Sequence, residues 1–158
     1  MAIDCHIKFE GVEGESAHKD HKNEVEVLAW SWGAANTANF RSGGSGVGKG
    51  DAGDFTFTHA YDKSSPVLAK HCASGKHFKD VIVTARKSGE GQKDFFKVTM
   101  KEVFITNVSP AGSSGGEIIE SVTMAYKDIE FSYKPQDAKG GLGGEVKFGW
   151  NVESTETR

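Results

Sequence analysis

One short helical segment lies between two stretches that alternate like β-strands, and this combination restricts the fold more than any other sequence feature. Ser65 and Pro66 begin the segment, since serine is favoured as a helix cap and proline is tolerated in the first helical turn. Gly75 ends it, where a helix C-terminus commonly needs the left-handed conformation. A helix over about 65–75 is too short to be stable alone. The sequence therefore predicts one helix packed against a larger β structure.

The rest of the sequence alternates between apolar and polar residues, which is typical of strands with one buried face. Strands are predicted over 2–9, 23–32, 55–58, 78–88, 94–108, 118–133 and 146–152. The apolar residues of 23–32 change face, which indicates a bulge or a strand that is covered on both sides. The segment 118–133 needs a break at Lys127 and Asp128 for both of its halves to face one core.

The predicted fold class is mainly β: a closed antiparallel β-barrel with the short helix on its flank. Closure is favoured because it removes exposed strand edges. The length of 158 residues suits a single domain, 1–158. Within that domain, residues 33–53 are predicted to form a long glycine-rich loop, which at this length is either disordered or functional. Residues 153–158 are expected to be a polar tail.

Charge and composition argue against several classes of function. Lys and Arg number 19, Asp and Glu number 22, and the formal charge is −3. A chain with this charge lacks the excess of basic residues that is typical of proteins that bind nucleic acid or anionic membranes. The sequence contains no apolar run long enough to span a membrane, and residues 1–10 lack the apolar region of a cleaved signal peptide. Cys5 and Cys72 are expected to be reduced thiols that pack as small hydrophobic side chains.

Two glycine-rich motifs resemble catalytic loops but lack essential parts. Residues 43–50 resemble a phosphate-binding loop, yet Gly50 stands where Ser or Thr would hold magnesium, and a strand follows instead of a helix. Residues 112–116 match Gly-x-Ser-x-Gly around Ser114. A nucleophile elbow requires a strand-to-helix turn, whereas this segment joins two predicted strands.

The histidines and carboxylates do not form a predicted site either. His18 and His21 lie three residues apart in a polar connection, but this pair lacks the third ligand of a zinc site. The pair His71 and His77, which flanks the helix end, lacks it too. His59 is expected on a strand surface, and no carboxylate is expected in an apolar setting that would raise its pKa. We therefore predict no catalytic residue, no cofactor and no metal, and the chain is not expected to be an enzyme.

A series of short motifs, in order along nearly the whole chain, resembles one known family. Residues 57–68 and 74–78 resemble its helix segment, and 14–16 with 24–33 look like its N-terminal hallmark. Further matches lie at 101–103, 115–117, 120–123 and 149–151. On these residues the chain resembles the haemolysin-coregulated proteins (Hcp), the tube subunits of type VI secretion.

This resemblance implies a ring of six copies, and rings that stack into a hollow tube. A contracting sheath would propel the tube, a spike protein would sit at its tip, and small effector proteins would be held in its lumen. It also implies assembly in the bacterial cytoplasm and export without a cleaved signal peptide. The expected partners are therefore the chain itself, the spike, the sheath and small effectors. Nucleic acid and membrane insertion are not expected.

Two kinds of contact site are predicted for such a tube. Ser31 points away from its neighbours Trp30 and Trp32, so it faces the lumen if the two tryptophans fill the core. Contacts between rings are expected from loops 33–53, 88–92 and 111–116. The candidate residues in these loops are Asn39, Arg41, Ser45, Lys49, Glu90, Ser113 and Ser114.

Three other interpretations stay open at this point. A phage-type tail tube subunit shares the architecture by family analogy. A small-ligand carrier would need a spacious apolar interior, whereas the large aromatic residues here are enough to fill a small barrel. A hydrolase would use Ser114 as its nucleophile.

Overall fold

A computed structural model of the chain describes residues 2–38 and 48–158. These residues form twelve strands and one helix. In chain order they are β1 (Ile3–Phe9), β2 (Val25–Glu26), β3 (Ala29–Ser31), β4 (Ala34–Asn36), β5 (Gly50–Ala52), β6 (Phe55–Ala60), α1 (Ser65–Ser74), β7 (Phe78–Lys87), β8 (Phe96–Ala111), β9 (Ile119–Ala125), β10 (Asp128–Tyr133), β11 (Val146–Asn151) and β12 (Glu156–Thr157). Across these same ranges no helix is long and apolar enough to cross a lipid bilayer.

The strands pair antiparallel in two connected series, which confirms the prediction of a mainly β fold with one helix. One series has the order β12-β11-β10-β8-β7-β1-β2. The other runs from β8 through β9 and β6 to β3, while β4 and β5 form a separate pair. One backbone hydrogen bond extends the pairing at the β2 end of the first series, and another extends the pairing at the β3 end of the second. The Val27 N–H donates to the Cys5 carbonyl at 2.9 Å, and the Leu28 N–H donates to the Thr58 carbonyl at 2.8 Å.

Strand β8 connects the two series because its two halves pair with different strands. Residues 96–101 pair with β10, and residues 104–111 pair with β9. Glu102 lies between the two halves and has φ of 53°, in the left-handed region that side chains rarely adopt. The change of partners along β8 therefore falls at a residue with an unusual backbone conformation.

The core lies between these strands and is filled by large side chains. Its fully buried aliphatic and aromatic residues come from β1, β2, β6, β7, β8, β9, β10 and α1. The bulkiest of them are Phe9, Phe55, Phe57, Ile7, Leu68, Met100, Met124 and Ile129. They alternate with exposed or half-buried residues along β6 and β9, as the period of two predicts.

The helix forms where the sequence predicts it, although its N-terminus differs from the prediction. Ser64 is the capping residue, in a helical conformation and without a side-chain cap bond. Instead, Asp62 Oδ1 accepts the Ser64 N–H at 2.9 Å, and Ser65 Oγ accepts the Asp62 N–H at 3.1 Å. A tight turn therefore leads directly into the helix and supplies these hydrogen bonds. The predicted end is confirmed: Gly75 has φ of 71° and its N–H donates to the His71 carbonyl.

Predicted strand boundaries hold in some places and fail in others. The break near Lys127 is confirmed, because β9 ends at Ala125 and β10 begins at Asp128. The stretch 23–32 divides into two short strands, β2 and β3, instead of forming one bulged or doubly covered strand; the two pair with different partners, β1 and β6. Residues 33–53 differ from a plain loop, since β4 and β5 pair near its two ends.

The polar tail also differs from the prediction. Residues 156–157 form β12, which pairs with β11, and Arg158 extends that pairing to Gly149. The Arg158 guanidinium donates to both Asp128 carboxylate oxygens, at 2.9 and 2.7 Å. A Cβ on Gly149 would lie 2.7 Å from this guanidinium, so the absence of a side chain at Gly149 leaves space for Arg158. A strand of two residues is too short for an alternation of apolar and polar side chains to be recognised in the sequence.

We predict that Glu102→Gly unfolds at higher denaturant concentration than Glu102→Ala, by about 1 kcal/mol in free energy of unfolding. Both variants lose the contact between Glu102 Oε2 and His77 Nε2 at 2.8 Å, so their difference isolates the left-handed backbone. Equilibrium unfolding in urea measures it. Lys97 in β8 is the control, because it is exposed and its φ is not positive. There the glycine variant should be less stable than the alanine variant. Equal midpoints for the two Glu102 variants would contradict the account of β8.

Candidate functional site

The exposed face of β3, β6 and β9 carries small hydroxyl side chains. Ser31 pairs with Thr56, and Thr56 pairs with Thr123, so the three residues form one row across the strands. The hydroxyls of Thr56 and Thr123 lie 3.3 Å apart. A second row, formed by Ala29, Thr58 and Ser121, runs beside the first. Ser31 and Ala29 are exposed and the other four residues are half-buried, so the two rows form an uncharged surface of small side chains.

Ser31 is exposed on this surface because its neighbours pack on the opposite side of β3. The Trp30 ring stacks on Phe55 and Phe96, at centroid distances of 5.5 and 5.2 Å. Trp32 packs against Phe131 at 4.8 Å. Trp30 keeps 38% of its surface exposed, so it covers the core instead of filling it. Sequence reasoning singled out Ser31 but missed Thr56 and Thr123, because their alignment depends on strand register.

A chain of hydrogen bonds fixes the base of the segment 33–53 beside this face. Trp32 Nε1–H donates to the Tyr126 hydroxyl, and that hydroxyl donates to the Gly53 carbonyl, both at 2.6 Å. The Gly53 N–H in turn donates to the Gly33 carbonyl at 2.8 Å. Burial raises the pKa of Tyr126, so the hydroxyl stays protonated and keeps its donor. The two ends of the segment are therefore held together on β3 and β9.

The predicted ring-stacking residues occupy different parts of the structure. Glu90 is exposed in the turn between β7 and β8, and Ser113 and Ser114 are exposed in the turn between β8 and β9. These turns lie at opposite ends of the 16-residue β8, which can reach about 50 Å when extended. Lys49 is exposed just before β5. Three candidates, Asn39, Arg41 and Ser45, lie outside the described residues.

Four exposed apolar side chains lie near the two ends of the longer series of strands. Ile3 on β1 and Leu28 after β2 are 48% and 63% exposed near one end. Near the other, Tyr133 on β10 and Val146 on β11 are 47% and 65% exposed. Tyr133 and Val146 are register partners, so they lie side by side. Four further large apolar side chains of the described residues are exposed elsewhere: Trp30, Tyr61, Phe104 and Ile118.

A buried pair of ionisable side chains corrects two expectations. His59, expected on a strand surface, is 0% exposed, and Glu120 is 1% exposed. His59 Nε2 lies 2.8 Å from Glu120 Oε1, and the two are register partners on β6 and β9. Each of the two residues lies on the same side of its strand as the buried residues two positions away. This alternation is the sequence signal that could have predicted their burial. Their burial closes them to any substrate.

Ser114 does not have the setting of a catalytic nucleophile. It lies in an exposed turn that joins β8 to β9, so the strand-to-helix geometry of a nucleophile elbow is missing. In the ranges 2–38 and 48–158, no group of three or more His, Cys, Asp or Glu residues has the arrangement of a metal site.

The family profile and the curated relative that match this chain point to the same family. The family profile "Type VI secretion system effector, Hcp" matches residues 6–133. Protein hcp1 of Pseudomonas aeruginosa is 43% identical over 156 residues, which is 96% of this chain and 96% of that protein. The chain belongs to the Hcp family of type VI secretion. This is a family of structural secretion proteins and not of enzymes.

Solved structures show the same fold. A structure described as a type six secretion system protein superposes with a TM-score of 0.93 at 29% identity, covering 99% of this chain and 100% of that one. Hcp1 from Salmonella typhimurium superposes with a TM-score of 0.83 at 32% identity, covering 100% of both chains. The mainly β architecture with one helix is therefore the Hcp fold.

We predict that Glu120→Ala lowers the free energy of unfolding by about 1–3 kcal/mol, because it leaves His59 Nε2 buried without its hydrogen-bond partner. Chemical denaturation followed by tryptophan fluorescence measures the loss. Glu117→Ala is the matched control, since Glu117 is exposed three positions earlier, and it should change stability by less than about 0.5 kcal/mol. Similar effects for both variants would show that the pair has no structural role.

Proposed function

We propose that this chain is the structural subunit of the type VI secretion tube. Six copies form a ring, rings stack into a hollow tube, and small effectors are carried in the lumen. Membership of the Hcp family supports this assignment. The observation that carries it is the distribution of exposed apolar side chains at both ends of one series of strands. A building block of a ring needs two such surfaces.

The ring contact joins the two ends head to tail. Tyr133 and Val146 of one copy pack against Ile3 and Leu28 of the next, so that different surfaces meet at each contact. Such a heterologous contact closes into a ring when the rotation between copies is right, and otherwise it produces a filament. Apolar groups that are half exposed in the single chain become buried in this way, which stabilises the ring.

The strands close as a small barrel that forms one domain, 1–158. The hydrogen bonds of Val27 to Cys5 and of Leu28 to Thr58 support closure, because they connect β1 to β6 where β2 passes into β3. The hydroxyl face with Ser31 then lines the lumen. Its small, uncharged groups suit cargo of varied sequence, since they offer hydrogen bonds without a demanding shape or charge.

Contacts between rings come from the turns at the two ends of β8, with Glu90 on one side and Ser113 and Ser114 on the other. Exposure of these residues supports that assignment, as does their separation along β8. Lys49, with Asn39, Arg41 and Ser45, is proposed to contribute from the segment 33–53. The spike and the sheath are the further partners. Assembly occurs in the bacterial cytoplasm, and export proceeds without a cleaved signal peptide.

The alternative functions have less support. The family profile favours type VI secretion over a phage tail tube. Large side chains such as Phe9, Phe55 and Phe57 fill the interior where a small-ligand carrier would need space. A hydrolase using Ser114 disagrees with membership of a family of structural proteins.

We predict that Leu28→Asp or Val146→Asp converts rings into single chains, because each variant buries an unpaired carboxylate in the proposed contact. Light scattering should show the mass fall from six times 17.0 kDa to 17.0 kDa. Ile118→Asp is the matched control, since Ile118 is 48% exposed but lies away from both ends of the series. Intact rings in both test variants, or a single chain in the unmodified protein, would refute the contact.

We predict that Ser31→Gln leaves rings intact and reduces effector retention by about tenfold, equivalent to about 1.4 kcal/mol of binding free energy. The longer side chain projects into the lumen and obstructs cargo that rests on the hydroxyl face. Co-purification of a small type VI effector, expressed together with the ring, measures retention. Ser154→Gln, at an exposed serine outside this face, is the control. Loss of rings in Ser31→Gln would place Ser31 in a subunit contact instead.

A further inference from the structure

A row of six side chains crosses the longer series of strands on the face opposite to the core residues Ile7, Val83 and Val98. Register partners on adjacent strands lie side by side on the same face of a sheet. In the strand order β2, β1, β7, β8, β10 and β11, the row consists of Glu26, His6, Thr84, Lys97, Ser132 and Lys147. The row therefore begins with a carboxylate and ends with an ammonium group. Five strand spacings separate these two ends, about 24 Å along the sheet, and no ion pair joins them within the described chain.

Glu26, the acidic end of the row, lies in surroundings rich in carboxylates. It is exposed, and none of the ion pairs among residues 2–38 and 48–158 includes it. It lines a cavity of about 340 Å³ together with Asp4 and two histidine side chains. It also lines a smaller depression together with Glu15 and Asp62. The residues that line the two depressions include no lysine or arginine, so a cation from another chain would meet several carboxylates there.

The larger cavity also suits the aliphatic part of a lysine side chain. Ile3 and Leu28 line it, and both are exposed apolar side chains of the proposed ring contact. A lysine can pack its methylene groups against such side chains while its ammonium group lies beside a carboxylate. The cavity therefore combines the two features that a lysine side chain requires.

Lys147, the basic end of the row, is exposed on β11. It follows Val146, the side chain that is proposed to pack in the ring contact with Leu28 of the next copy. Its Nζ lies 3.7 Å from both Glu130 Oε1 and Glu145 Oε1, and its side chain is 56% exposed. Exposed ion pairs contribute little to stability, so this ammonium group is available to a carboxylate of another chain.

We propose that Lys147 of one copy enters the cavity beside Glu26 of the next copy, where the two side chains form an ion pair between subunits. The proposal rests on the proposed ring contact, because packing of Val146 against Leu28 brings β11 of one copy beside β2 of the next. The row of side chains then continues across the contact, with the ammonium group at the end of one row against the carboxylate at the start of the following row.

The ion pair selects head-to-tail assembly over contacts between like ends. Two β2 ends would bring together the carboxylates of Asp4, Glu15 and Glu26. Two β11 ends would bring together Lys147 and Lys134 of both copies, although Glu130 and Glu145 reduce that repulsion. A contact between like ends stops at two copies, whereas a head-to-tail contact repeats and can close as a ring. Complementary charge across a contact gives this kind of specificity more than it gives affinity.

A zero-length carbodiimide cross-link tests the ion pair in the unmodified protein. The reagent joins a lysine amine to a carboxylate only where the two groups are in contact. Mass spectrometry of the digested rings should identify a product of Lys147 with Glu26, and a denaturing gel should show this product only in chains that are linked to each other. Products of Lys147 with Glu130 and with Glu145 are the internal control, because these contacts lie within one chain.

Charge reversal tests the contribution of the ion pair to assembly. Glu26→Lys should raise the chain concentration at which half of the rings dissociate by about tenfold or more at low ionic strength, because it places like charges together. Adding Lys147→Glu to this variant should restore the dissociation to within about threefold of the unmodified protein. Glu117→Lys makes the same change of charge at an exposed residue outside the row and should leave dissociation unchanged. Light scattering over a dilution series measures dissociation, and circular dichroism shows whether each variant is folded.

The outcomes separate the ion pair from the ring contact. Rings that give the two products within one chain but no product of Lys147 with Glu26 would overturn the ion pair and leave the ring contact in place. Folded Glu26→Lys chains that keep their rings, or a double variant that stays dissociated, would overturn it as well. A single chain in the unmodified protein would refute the ring contact itself and the ion pair with it. If the charge-reversal variants do not fold, the cross-link in the unmodified protein decides the proposal.

Discussion

The structure depends on the change of partners along β8 at Glu102, because among the described strands this one pairs with both series. Its first half is the neighbour of β7 and β10, and its second half is the neighbour of β9. Without that change of partners, β9 and, through it, β6 and β3 would lose their pairing to the longer series. The left-handed conformation of Glu102 costs about 1–2 kcal/mol. Hydrogen bonding along both halves and the core between the two series offset that cost, so the left-handed residue persists.

The same arrangement explains why each surface carries its own chemistry. Along β6 and β9, residues alternate strictly between the core and the exposed face, so the hydroxyl side chains around Thr56 all point away from Phe55 and Phe57. Near the two ends of the longer series the exposed side chains Leu28 and Val146 are apolar. A polar face and two apolar ends are therefore direct results of strand order and parity.

Local pattern was enough to predict the helix, the main strands and the break near Lys127, since each of these features is set within a few residues. It could not predict the pairing of His59 with Glu120, which are 61 positions apart, or the row of hydroxyls at Ser31. Both depend on register between distant strands. The strands β4, β5 and β12 were missed because two or three residues carry no measurable alternation. The left-handed Glu102 has no signal of its own, as glutamate gives no hint of positive φ.

The buried pair of His59 and Glu120 gives a physical reason for one register over its neighbours. A slip of one residue between β6 and β9 would turn the side chains of one strand to the opposite face and expose its apolar set. A slip of two residues would keep the faces but place Glu120 beside Phe57 or Tyr61, where its carboxylate would be buried without a partner. A buried polar group without a partner costs far more free energy than a shift among apolar neighbours. Apolar packing therefore selects the face, and the hydrogen bond between His59 and Glu120 selects the register, so that together they fix one arrangement of these strands.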